Sequence, residues 1–145
     1  MSTRGRGSAW LATGVLLLVA TSGCSSGTVT HQALNRAFGQ TFARMYALQQ
    51  QEIGHVLDRP ADSAATCSRS GSAATRGSGA WLCTVHFPAP DGHLDPVSFD
   101  VDVAPIGCYT ATGPPAAVGP LQLRTPSGGT VTNPLFAFDG CFDPT

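Results

Sequence analysis

Five cysteines in a chain of 145 residues restrict what this sequence can become more than any other feature. Cys24 stands near the start, and Cys67, Cys83, Cys108 and Cys141 are spread through the rest. Disulfide-stapled small domains belong to oxidising compartments, where an odd count leaves one thiol over. The residues before Cys24 bear on which one that is. Arg4 and Arg6 make a positive start, and Trp10 to Ala20 is an uncharged, mostly apolar run. A helix needs about 20 apolar residues to cross a bilayer core, so this run is too short. It fits the apolar region of a secretory signal peptide, ordinarily about 7–15 residues.

The run ends in Thr21-Ser22-Gly23-Cys24. This tetrapeptide resembles the bacterial lipobox, in which small residues lead into an obligatory Cys. Thr21 departs from the usual Leu or Val, and ordinary cleavage without lipid is the alternative that this departure leaves. The resemblance implies that residues 1–23 are a lipoprotein signal peptide and that Cys24 carries diacylglycerol on its sulfur. It also implies a protein held on the outer face of the cell membrane. Two or more acyl chains suffice for stable anchoring where one is marginal. Ser25-Ser26-Gly27 then reads as part of a short tether over residues 24–29. Four cysteines remain, enough for two bridges within a single domain over residues 30–145.

Past Cys24 the chain has no Lys, and six Arg face eight Asp and Glu52. No basic run follows the first residues, which argues against nucleic acid as a partner.

From Leu34 the apolar positions Leu34, Phe38, Phe42, Met45 and Leu48 recur at steps of three and four, with Ile53 and Val56 beyond. The spacing predicts an amphipathic helix from about Thr30 to Ile53, capped by Thr28 or Thr30 and ended by Gly54. Pro60 to Gly79 reads as a Ser- and Gly-rich connection fixed only by Cys67. In Trp81–Phe87 the odd positions share a face, Asp91-Gly92 marks a turn, and Val97–Val103 alternates apolar and polar without fault. Shorter strands are expected at 108–112, 121–123, 130–132 and 135–138. The fold class this implies is α+β: one N-terminal amphipathic helix packed on an antiparallel sheet, stapled by two disulfides. The expected pairing is Cys67–Cys83 and Cys108–Cys141, because each closes a local strand-to-strand loop.

At Cys83, Gly107-Cys108-Tyr109 and Phe138-Asp139-Gly140-Cys141-Phe142 the layout resembles small lipoproteins of actinobacterial type, with an N-terminal helix ahead of a cysteine-bearing sheet. The resemblance implies location and architecture, and brings no catalytic residues.

Four groupings invite a chemical reading. Gln51-Glu52-Ile53-Gly54-His55 falls short of the zinc-protease helix motif, because Gln51 is a poor ligand and Gly54 stops the helix. His86, Asp91, His93 and Asp95 surround the first hairpin and read better as a solvated turn than as a metal site. Asp100 and Asp102 share the wet face of their strand and read better as a solvated face than as the desolvated carboxyl pair that acid–base work needs. Trp81, Phe87, Phe99, Phe136 and Phe138 read as core first and as an apolar ligand cavity second. No catalytic residue, metal ligand or cofactor is expected. The leading expectation is a non-enzymatic binding or structural module that touches an envelope protein or polymer. The alternatives are a carrier of a small apolar ligand or lipid, and a carboxylate-based hydrolase using His86.

Overall fold

The computed structural model describes residues 28–57, 64–88 and 93–144. Residues 1–27, where a signal peptide, a lipidated Cys24 and a tether are expected, and Asp91 lie outside the described residues. The element order is α1 (His31–Glu52), β1 (Ala65–Arg69), β2 (Gly79–Pro88), β3 (Leu94–Val103), β4 (Cys108–Thr112), α2 (Pro115–Val118), β5 (Gln122–Arg124), β6 (Thr130–Thr132) and β7 (Ala137–Cys141).

Helix α1 begins where Thr30 accepts a hydrogen bond from Ala33 N at 3.2 Å, which satisfies one of the free amides of a first turn. It ends at Gly54, whose φ of 80° is the left-handed conformation that suits glycine. The buried line along it is Leu34, Phe38, Gly39, Phe42, Tyr46 and Gln49. Leu48, expected on that line, is 40% exposed, and Met45 is only partly buried. At 3.6 residues per turn, steps of four rotate about 40° each. The line has therefore drifted to Tyr46 and Gln49 by the last turns, and Leu48 falls off it.

Strands β1, β2, β3, β4 and β7 form one antiparallel sheet in that order, and β5 and β6 form a separate hairpin. Helix α1 covers one face of the large sheet. On that inner face the register aligns Trp81 with Val101, Val101 with Ala111 and Ala111 with Phe138. Phe38 descends from the helix onto this floor, with ring centroids 5.6 Å from Phe99, 6.0 Å from Tyr109 and 5.5 Å from Phe138. Leu34, Phe38, Phe42 and Phe99 are fully buried. The core reading therefore holds for Trp81, Phe99 and Phe138, while Phe136 is only half-buried.

Both disulfides are those expected. Cys67 faces Cys83 in the β1–β2 register with Cα atoms 4.0 Å apart, and Cys108 faces Cys141 in the β4–β7 register at 3.9 Å. Such short spacings belong to the closer class of antiparallel pair. The bridges lie on opposite faces. Cys67 and Cys83 are buried under α1, whereas Cys141 is exposed on the far side and Cys108 half-exposed.

Three features depart from the expected elements. The Ser- and Gly-rich connection contains strand β1, because Cys67 is bonded to β2 and the Cys67 amide donates to Asn35 Oδ1 at 2.8 Å. Small flanking residues conceal its alternation. The final strand runs 137–141 rather than 135–138, since Cys141 must lie opposite Cys108. Leu135 and Phe136 instead form a turn in which Leu135 N donates to Asn133 Oδ1 and Phe136 N to Asn133 O. Finally, α2 follows Pro114 as a short helix that no periodicity announces.

Candidate binding face

Alternation along each strand divides the sheet into a face under the helix and a face turned to water. The β3 burial pattern is regular from Val97 onward, with Val97, Phe99, Val101 and Val103 buried and Ser98, Asp100 and Asp102 exposed. Strand β4 repeats it with Thr110 and Thr112 outward, and β7 with Ala137, Asp139 and Cys141 outward. Register then sets the neighbours. Asp102 stands opposite Thr110, and Thr110 opposite Asp139. Asp100 stands opposite Thr112 and Leu82.

Asp102 and Asp139 therefore flank Thr110 from either side, one strand apart each, which sets the two carboxylate-bearing positions about 10 Å apart. All three side chains are exposed. Beside them, the Cys108–Cys141 bridge and Ser78 complete the rim of an open depression of about 550 Å³. On the same face Thr84 and Ser98 share a hydrogen bond of 2.8 Å between hydroxyls. The outward positions of the five strands carry Asp100, Asp102, Asp139, hydroxyls, His86 and the exposed Leu82 and Leu94, with no Arg among the described residues. The formal charge of these positions is negative, and among the described residues no element covers them.

The charge of this face is felt on the other side of the sheet. Tyr109 points inward, 3% exposed, with Oη 3.4 Å from Ala37 O on α1. Burial pushes its phenol above the ordinary value of 10.0, a hydrogen bond with Thr41 opposes that, and the Asp139 charge adds to the rise.

A second polar cluster is wholly internal. Gln49 Nε2 donates to Val118 O at 2.7 Å and to Asn133 Oδ1 at 2.9 Å. Asn133 Nδ2 donates to Val118 O at 2.9 Å and to Pro120 O at 3.0 Å. Gln49 is 5% exposed and Asn133 fully buried. The cluster clamps α1 to α2 and to the β5–β6 hairpin, and every partner is spoken for. Its role is structural.

The remaining candidate residues are dispersed. His86 is exposed at a β2 position opposite Pro96, and Asp95 stands opposite Phe87. His55 lies beyond the helix end with Nδ1 3.0 Å from Gln50 Oε1. Among the described residues no three His, Cys, Asp or Glu side chains gather as a metal site would require. Asp100 and Asp102 lie on the solvated face expected of them, but Asp139 as the companion of Asp102 was not foreseen. The signal was the alternation of Phe138 and Asp139, which places a carboxylate outward once the strand is recognised.

The chain matches no protein-family model, no curated protein and no solved structure. Its class is architectural: a disulfide-stapled α+β domain with one sheet face under a helix and one that no described element covers.

Proposed function

We propose that this chain is a lipid-anchored, non-enzymatic binding module on the outer face of a cell membrane, and that the bare sheet face is its recognition surface. The anchor reading is supported by the apolar run before Cys24 and by the lipobox-like Thr21–Cys24. Two disulfides suit an oxidising, extracytoplasmic compartment. The observation that carries the recognition reading is the exposed row Asp102–Thr110–Asp139 with Asp100 beside it, which among the described residues has no Arg on the same face. Such a surface fits an envelope protein or polymer that presents cationic groups, because complementary potential favours encounter and register.

The test places a photo-crosslinking side chain at Thr110 and, separately, at exposed Gln40 on α1 in intact cells. A specific adduct from position 110, lost when Asp100, Asp102 and Asp139 are all replaced by Asn, supports the reading. Adducts from position 40 alone would overturn it. The anchor is tested separately by intact mass of the membrane fraction, which should carry a diacylglyceryl adduct that Cys24→Ala lacks.

A further inference from the structure

The large sheet has two ends, and the chain leaves the described domain toward Cys24 at only one of them. Val29 O accepts from Gly77 N at 2.8 Å, His31 N donates to Thr75 O at 3.1 Å, and Thr30 bridges to Arg76. Thr28 is thereby fixed at the end where β2 begins. There Gly79 pairs with Val103, the last residue of β3, which enters the turn Ala104–Gly107. The C-terminal segment returns to the same place, with Phe142 N donating to Gly107 O at 3.0 Å.

That turn is built to hold one shape. Gly107 N donates to Ala104 O at 3.0 Å and Ala104 N to Cys108 O at 2.8 Å. Pro105 presets the first central position, and Gly107 has a φ of 81°. A side chain at Gly107 would collide with the Phe142 carbonyl. The turn is thus pinned from behind while Pro105 and Ile106 project into water, Ile106 with 74% of its surface exposed.

We propose that the Pro105-Ile106 tip is a membrane-contact point that rests in the interfacial layer of the bilayer holding Cys24. This inference depends on the lipid anchor proposed above. The tether from Cys24 to Thr28 spans at most about 14 Å when fully extended, so the anchored end of the domain stays close to the lipid surface. An apolar side chain displayed at that end lies within reach of the headgroup–acyl boundary, where amphipathic elements bury to about 5–10 Å. Val56 and Leu94 are also exposed, at 91% and 54%. Leu94 pairs with Pro88 at the far end of the sheet, away from the tether. With Ile106 on the membrane the strands stand upright, and the Asp102–Thr110–Asp139 row faces sideways, open to a partner.

The experiment reconstitutes the processed, lipidated chain in phosphatidylcholine vesicles containing lipid with brominated acyl chains. Tryptophan is introduced by Ile106→Trp and, as the far-end control, by Leu94→Trp. Trp81, 1% exposed in the core, supplies a constant background. The expected result is a blue-shifted, lipid-quenched emission from Ile106→Trp and an unquenched emission from Leu94→Trp. In the unsubstituted chain, the amides of Ala104–Gly107 should gain protection from hydrogen exchange on vesicles. If the chain floats with vesicles but both tryptophans respond alike and the turn gains no protection, the tip faces water or a protein and the proposal is overturned. If the unsubstituted chain does not float, the anchor reading itself fails and takes the proposal with it.

Discussion

Tyr109 on β4 lies directly across from Gly140 on β7, and a methyl group at position 140 would sit 2.6 Å from the Tyr109 hydroxyl oxygen. The phenol covers the bare glycine of an edge strand on its way to Ala37 O of the helix. Glycine alone is weak in a strand, and an aromatic neighbour across the ladder compensates for it. Gly140→Ala is expected to destabilise the domain by about 1–3 kcal/mol through overpacking. In the Tyr109→Ala background the same methyl should cost little, and urea denaturation of the four chains in a double-mutant cycle would show whether the two sites are coupled.

Alkaline pH should act through the same tyrosine. Its folded pKa is raised above 10.0, chiefly by burial. Above pH 10.0 the unfolded chain releases this proton while the folded chain keeps it, so stability falls as pH rises; below that value the contribution is fully present. Tyr46, also raised by burial, acts in the same direction. Tyr109→Phe is expected to flatten part of the decline above pH 10, read as the midpoint of urea unfolding against pH.

Phe38 joins the helix to three aromatic rings of the sheet. Phe38→Ala should cost about 3–5 kcal/mol, the usual range for emptying such a site. Leu48→Ala on the same helix, at a position 40% exposed, should cost far less. Thermal unfolding of the two variants side by side checks the contrast.

Removing Asn133 leaves Leu135 N without its acceptor and takes one of the two bonds of Gln49 Nε2, which keeps Val118 O, besides opening a void at a fully buried site. Each unpaired buried group costs about 1–3 kcal/mol, so Asn133→Ala should lose about 3 kcal/mol or more. Gln122→Ala, which removes only an exposed contact with Thr132, should stay within about 0.5 kcal/mol. Denaturant midpoints measured under one buffer decide this.

The two bridges should differ in reactivity because one is covered and the other is not. Thiol–disulfide exchange requires access of the attacking thiolate to sulfur. Cys67 and Cys83 are 5% and 0% exposed, whereas Cys141 is open to solvent. In the native chain a limiting dose of small thiol should open Cys108–Cys141 first. Timed alkylation and peptide mass would read the order, and early labelling of Cys67 would contradict it.

What the sequence determined by itself was whatever neighbours along the chain can encode. Thr30, Phe38, Phe42 and Gly54 mark α1 by cap, spacing and stop, and Val97–Val103 declares a half-buried strand through unbroken alternation. Of the three pairings that four cysteines allow, the one closing the local loops 67–83 and 108–141 was expected and is the one present. Only the tertiary structure decided which strands lie side by side, and hence that Asp102 and Asp139, far apart in sequence, flank one threonine. It also decided that Gln49 turns inward to meet Asn133, and that Ala65–Arg69 is a strand. The physical reason is that register and cross-strand contact are non-local: they depend on how the whole inner face packs beneath the helix. Alternation turns Asp102 and Asp139 outward, but nothing local to either says which strand lies beside it.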